Sequence, residues 1–169
     1  MKFRRAINED VFGIMNIINQ AQVYFKEQGI DQWQNNYPNI ETINNDIENE
    51  YSYVLLKDNE IVATAAISFD GESTYDSIYD GEWLSNDDYA VIHRVAVDNA
   101  YKGLGLLSEI IRYVEKICLD KGINSIRIDT HEENISMQRS LNKNRFKYCG
   151  LVLLDDGSKR IAFEKILSI

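Results

Sequence analysis

Basic side chains are scarce: 18 lysines and arginines stand against 27 aspartates and glutamates, a formal net charge of −9 over 169 residues. A chain with a pI near 4.7 lacks the basic footprint that binding to a phosphate backbone requires, which argues against nucleic acid as a primary partner. Long apolar runs are missing as well. No stretch approaches the roughly 20 residues that span a bilayer, and Met1-Lys2-Phe3-Arg4-Arg5 leads into mixed polar sequence instead of a signal-peptide core. A cytoplasmic protein with no membrane partner is therefore expected. Only two cysteines occur, Cys118 and Cys149. They lack metal-ligand spacing and sit among apolar residues, so buried free thiols are expected and no metal site. What is plentiful is apolar content, 44% of the chain. At this length a fold buries roughly two thirds of the surface its unfolded chain exposes, so one domain over residues 1–169 is expected without staples.

Periodicity divides the chain into elements. Phe3 to Ala6 can open as a strand, and Asn8-Glu9-Asp10 supplies caps and first-turn acids for a helix. Val11, Ile14, Met15, Ile18, Ala21 and Phe25 recur at spacings of three and four, one apolar helical face that Gly29 ends. The polar stretch Asp31 to Asn39 carries Trp33 and Tyr37, which suits a covering loop, and a short helix follows over roughly Ile40 to Asn49. Tyr51–Leu56 and Ile61–Ile67 flank Asp58-Asn59, a hairpin signal. Residues Asp70 to Asp88 show neither period and read as an excursion. Tyr89–Val97 is a strand. A long helix carries Leu107, Ile110, Ile111, Val114, Ile117 and Cys118 on one face and stops at Lys121-Gly122. Ser125–Asp129 is the next strand, Asn134 to Asn144 a shorter helix, and Tyr148–Leu154 and Arg160–Ile166 a closing hairpin around Asp155-Asp156-Gly157-Ser158. The order β-α-α-β-β-β-α-β-α-β-β implies a mixed α/β sheet.

Chemistry enters at the strand-to-helix junction Val97-Asp98-Asn99-Ala100-Tyr101-Lys102-Gly103-Leu104-Gly105. A strand, a glycine-bearing loop and a helix start form an arrangement in which main-chain N–H groups and a positive helix end face an anion. A tight turn that uses its glycines only for φ angles is the plainer alternative. No Gly-x-x-x-x-Gly-Lys-Ser/Thr loop occurs, nor a third glycine at dinucleotide-fingerprint spacing.

This junction resembles the V-x-P-x-x-R-G-x-G-x-G segment of the GNAT superfamily of acetyl-CoA-dependent N-acetyltransferases, with Asn99 for the proline and Ala100 for the usual Arg or Gln. A second segment, Ile126 to Asp129 and then Asn134, Met137, Lys143 and Phe146, is similar to the family's N-x-x-A-x-x-x-Y-x-x-x-G-F signature. There Met137 replaces the small residue, Leu141 the tyrosine and Arg145 the glycine. The resemblance extends over the whole chain in element order and implies a GNAT-like (acyl-CoA N-acyltransferase) α/β fold, a mixed central β-sheet with helices on both faces. It also implies acetyl-CoA as acetyl donor, a primary amine of a small molecule or peptide as acceptor, direct attack and a possible homodimer.

Residue by residue, the resemblance implies that main-chain groups of Val95, Ala96 and Val97 pair with the pantetheine arm, in a V opened between the fourth and fifth strands. The pyrophosphate would lie on N–H groups from Tyr101, Lys102, Gly103, Leu104, Gly105 and Leu106, with Lys102 adding charge. Asn134 either reaches the cofactor or caps its helix. The fourth strand's N–H at Ala96 or Val95 would serve the oxyanion. His93, four residues before Val97, is the candidate base, since an imidazole can accept a proton at neutral pH; a core histidine is the alternative. Period two would put it on one face with Val95 and Val97. With Leu141 at the tyrosine position, the thiolate's proton comes from His131 or from water, and His131 can equally be an exposed loop residue. Gln32, Trp33 and Tyr37 are the acceptor-side candidates, with Trp33 alternatively a packing residue, and the Asp70 to Asp88 excursion is expected to face the same mouth. The rival to catalysis is an acyl-CoA-binding sensor or scaffold of the same fold, motivated by Ala100, Leu141 and Arg145.

Overall fold

The computed structural model describes residues 1–167. In chain order the elements are β1 (Lys2–Arg5), α1 (Val11–Glu27), α2 (Ile40–Glu48), β2 (Ser52–Lys57), β3 (Glu60–Ser68), β4 (Ala90–Val97), α3 (Leu106–Asp120), β5 (Ser125–Thr130), α4 (Ile135–Lys143), β6 (Lys147–Leu153) and β7 (Lys159–Ile166). Single 3-10 turns occur at Asn8–Asp10, Ser73–Tyr75 and Asn99–Tyr101. The strands make one mixed sheet in the order β1-β2-β3-β4-β5-β7-β6 with helices on both sides, the architecture that the element order implies. The chain packs as two compact units.

The first unit joins Met1–Ile67 with His93–Ile110. β1, β2 and β3 form an antiparallel meander. Its hairpin turn places Asp58 and Asn59 at φ +51 and +66, the paired left-handed residues that match the twist of a two-residue hairpin. Val11, Ile14, Ile17 and Ile18 of α1 pack with Ile43, Val54, Leu56 and Ala96, and Met15 and Ala21 are only partly buried. Ile17 thus belongs to the face that the sequence pattern assigned without it. Asp10 does not cap α1. Its carboxylate takes the Ile7 N–H at 2.8 Å and pairs with Arg4 at 2.7 Å, which makes the 3-10 turn a separate bend before the helix.

The second unit joins Ser68–Ile92 with Ile111 onward. Here β4 starts a parallel ladder with β5, Ala90 opposite Ile126 and Val91 opposite Arg127, and β7 lies antiparallel to both β5 and β6. On α3 the fully buried positions are Ile110, Ile111, Val114 and Cys118, preceded by Leu106 at 3% exposure. Leu107 and Ile117, expected on that face, are half-buried. Leu106 stands four residues before Ile110 and so falls on the face that Ile110, Val114 and Cys118 bury.

The 70–88 segment is strapped to this unit by polar anchors. Tyr75 Oη donates to Asp129 Oδ2 at 2.6 Å, Trp83 Nε1 to the Tyr75 carbonyl at 2.9 Å, and Tyr79 forms an antiparallel bridge with Leu151. Gly81 lies so close to β6 that a Cβ there would meet the Cys149 carbonyl oxygen at 1.9 Å. The last anchor is Glu164, 0% exposed. It accepts from Leu84 N–H at 2.5 Å, Ser85 Oγ at 2.9 Å, Ser125 Oγ at 2.6 Å and Arg127 Nε at 3.2 Å. Arg127 lies between the rings of Trp83 and Tyr89, 4.2 and 4.0 Å from their centroids.

Candidate functional site

Beyond β4 the chain is tied down by Asp98 before it reaches the glycines. Asp98 N–H donates to the Val62 carbonyl at 2.9 Å, and its two carboxylate oxygens accept from Ala100 N–H at 2.8 Å and Gln20 Nε2 at 3.3 Å. Gln20 answers from α1 by accepting Asn99 N–H at 2.7 Å. The 3-10 turn engages the N–H groups of Tyr101 and Lys102 with the Asp98 and Asn99 carbonyls, at 2.9 and 3.4 Å. Those two donors therefore do not face outward, which narrows the anion cradle expected over Tyr101 to Leu106.

The rest of the cradle is open. Gly103 and Gly105 have φ of +79 and +77, and a Cβ at either would meet nothing within 4 Å. Leu104 between them is 64% exposed. At the start of α3 the Glu109 N–H donates to the Gly105 carbonyl at 3.1 Å. The N–H groups of the first turn of α3, which starts at Leu106, have no intrahelical acceptor, as at the start of any helix. The positive helix end and these donors together favour a bound anion. Lys102 adds its charge beside them, with Nζ 4.5 Å from the centroid of the Tyr24 ring. Such a helix start suits a diphosphate, because the glycines have no side chain and leave the main chain open to close approach.

β4 carries the remaining candidates of the first unit. Ala96 is buried in the core, whereas His93, Val95 and Val97 are half-buried. Between His93 and Val95, Arg94 has φ +47. A left-handed residue interrupts the two-residue alternation of a strand, so the shared face expected for His93, Val95 and Val97 does not follow from their spacing. The Arg94 guanidinium forks onto Asp46 of α2 through Nε and Nη2, both at 2.7 Å, and donates from Nη1 to Tyr37 Oη at 3.0 Å. Tyr37 is thereby fixed to β4. Trp33 instead packs edge-on against Phe25, centroids 5.7 Å apart, and forms one wall of an open cavity of about 490 Å³ with Met15, Gln22, Gln34 and Pro38. Gln32 is half-buried on the same loop, its N–H on the Ile30 carbonyl.

His131 and Asn134 lie in the second unit, at the end of β5 and the start of α4. His131 Nδ1 accepts Glu133 N–H at 3.0 Å, which leaves the proton of a neutral ring on Nε2. Asn134 is buried, and its Oδ1 caps α4 by accepting Met137 N–H at 3.2 Å. Beside them Thr130 is 1% exposed, and its Oγ1 has no hydrogen-bond partner among the described residues. Leu141, at the position where a tyrosine would donate a proton, is fully buried in α4.

Three participants escaped the sequence reading. Arg94 interrupts the apolar run Val91-Ile92-His93-Arg94-Val95, and Asp46 falls on the apolar face of α2 with Ile43 and Ile47. A charge in either place signals a buried pair. Thr130 carries no such signal, because threonine is ordinary in a strand.

The model of the Acetyltransferase (GNAT) family matches residues 15–145. Among solved structures, a GNAT-family acetyltransferase from Streptococcus agalactiae 2603 shares 35% identity over 99% of this chain and 96% of its own, with a TM-score of 0.89. A GNAT-family acetyltransferase from Listeria monocytogenes 4b F2365 has a TM-score of 0.75 at 20% identity, covering 98% of this chain and 94% of its own. A ribosomal-protein-alanine N-acetyltransferase from Brucella melitensis reaches 0.70 at 14% identity, covering 99% of this chain and 100% of its own. The last two show likeness of fold alone. No curated protein matches the chain. The matched segment runs through the Asp98–Gly105 loop, β4 and the capped start of α4, and together with the 35% identical structure it shows that this chain belongs to the GNAT acetyltransferase family.

Proposed function

We propose that residues 1–169 act as one N-acetyltransferase domain that moves the acetyl group of acetyl-CoA to a primary amine of a small molecule or peptide by direct attack. The observation that carries this reading is the open glycine loop Gly103–Gly105 that leads into the start of α3 beside Lys102, where first-turn main-chain N–H groups have no intrahelical acceptor. It suits the pyrophosphate of CoA, while main-chain groups of Val95, Ala96 and Val97 suit the amide-bearing pantetheine arm. Acetyl-CoA supplies an activated thioester carbonyl. His93 accepts the ammonium proton of the acceptor, and Val95 or Ala96 N–H receives the developing oxyanion. Gln32, Trp33 and Tyr37 line the acceptor side. His131 meets a difficulty as the acid, because a doubly protonated ring would set its Nδ1–H against the Glu133 N–H. Water is the better donor to the leaving thiolate. Asn134 orients the loop through its cap. With both cysteines free and buried, a reducing cytoplasm is the natural compartment.

Calorimetric titration with acetyl-CoA, with ATP and NAD in separate runs, tests the reading; selective acetyl-CoA binding is expected, and ATP binding that acetyl-CoA does not displace would overturn it. His93→Ala is then expected to lower kcat by about 10²–10⁴ with acetyl-CoA affinity unchanged. The buried Leu141 favours one second reading, an acyl-CoA-binding module without turnover. Cofactor binding with no CoA thiol released across a broad amine panel would decide for it.

A further inference from the structure

The left-handed residue of β4 is an arginine, a side chain that adopts φ +47 only when its surroundings hold it there. Three hydrogen bonds hold Arg94, two to the Asp46 carboxylate and one to Tyr37 Oη. The pair is sheltered, with side-chain exposures of 17% for Arg94 and 8% for Asp46, so water competes weakly for either group. It sits at the one point of the strand that has the proposed base, His93, on one side and a proposed oxyanion donor, the Val95 N–H, on the other.

We propose that Arg94 is a positioning residue: the Asp46–Arg94–Tyr37 clamp holds the left-handed turn in β4, and that turn sets the direction of both the His93 ring and the Val95 N–H. This rests on the acetyl-transfer reading above. A left-handed residue rotates the peptide planes on its two sides out of the regular pleat. Relaxing residue 94 to extended φ therefore re-aims both neighbours at once. The same guanidinium fixes Tyr37, so the loop that carries the acceptor-side candidates and the turn in β4 share one anchor. Charge at position 94 has no part in the chemistry; only the backbone shape that it maintains does.

Arg94→Gly and Arg94→Ala separate the two roles, because glycine takes a left-handed φ without an anchor and alanine does so at a cost. The full-length variants would be compared by CoA-thiol release from acetyl-CoA with a panel of primary amines, and by ligand-free crystal structures read for φ at residue 94. Arg94→Ala is expected to relax to extended φ and to lower kcat by about ten- to a hundredfold, and Arg94→Gly to keep the turn and restore kcat to within about threefold of the parent protein. An alanine variant with the turn and kcat intact overturns the proposal, and so does a glycine variant that keeps the turn but is as slow as alanine. If Arg94→Ala fails to fold, Asp46→Asn, which preserves shape and removes the charge, takes its place with the same expected loss. If the parent protein itself releases no thiol, acetyl transfer fails as a reading, and φ at residue 94 in the variants still decides whether the clamp holds the turn.

Discussion

Replacing Glu164 by glutamine changes neither size nor shape, yet it strikes a side chain on which the second unit converges. The carboxylate is wholly buried and accepts four hydrogen bonds, one of them from a guanidinium that is itself 5% exposed. An amide in its place turns one acceptor into a donor. Ser85 Oγ, Ser125 Oγ and Arg127 Nε share Oε1, and Leu84 N–H has Oε2, so whichever way the amide is oriented, an N–H faces a donor. Arg127 also keeps its charge with no counter-charge beside it. Removing one member of a buried pair costs about 3–5 kcal/mol, and at about 2–4 °C per kcal/mol for a chain of this size Tm falls by about 6–20 °C. Urea unfolding followed by tryptophan fluorescence is the assay, since Trp83 stacks on Arg127 and reports the strap. The double variant Glu164→Leu/Arg127→Met restores the ion-pair part but leaves Leu84 N–H and the two serine hydroxyls without their acceptor, and at about 1–3 kcal/mol for each group left unsatisfied it stays below the parent protein. A Glu164→Gln variant within about 1 kcal/mol of the parent, well below that range, would refute the reasoning.

Gly103→Val adds a side chain that meets no neighbour but must adopt φ +79; acetyl-CoA affinity measured by calorimetry is expected to fall at least about tenfold, through strain of about 1–2 kcal/mol and a blocked main-chain approach. Burial, with Glu115 adding to it, pushes the Cys118 thiol up to about 12, and burial with Glu164 pushes Cys149 up to about 11; neither is expected to react with a thiol reagent at pH 8 in the native state, and both should in urea. For Asp10, burial acts to raise the pKa, but the Arg4 guanidinium and the Ile7 N–H outweigh it and hold the carboxyl below the ordinary range. A lowered folded value means stability that is present above about pH 4 and is lost as pH falls through the folded value. Asp10→Asn should flatten the acid limb of a Tm-against-pH curve, and an unchanged limb would remove Asp10 from it.

Legibility in the sequence followed the kind of force involved. Apolar periodicity marked α1, α3 and the strands to within a residue or two, because burial of a face recurs at a fixed spacing. It took Leu107 for Leu106, since the two stand three and four residues before Ile110 and both satisfy a helical spacing. The Gly103 loop was visible because glycines and a helix start are local. Asp98 and Gln20, which pin that loop, were not, because they meet across 78 positions. The strap over 70–88 read as a featureless excursion for the same reason: Tyr75 with Asp129, and Ser85 with Glu164, are long-range polar pairs with no period to betray them. The turn at Arg94 is the hardest case. Nothing in an arginine's identity asks for a left-handed backbone, and only its partners on α2 and the preceding loop account for it.

The bridge between Tyr79 and Leu151 has a consequence for association. β6 is the last strand of the sheet, and an outermost strand with open main-chain groups invites a strand from another molecule. Here the chain has docked one of its own residues on that rim, Tyr79 and Leu151 exchanging N–H and carbonyl at 2.8 Å in both directions. This is peptide capture by strand addition with the guest covalently attached to the host. The guest never diffuses away, so a foreign strand must compete at high local concentration against a segment also anchored by Tyr75 and by Glu164. A pairing of two copies that continued the sheet through β6 would have to evict it, and association through a helical face or through β1 would not.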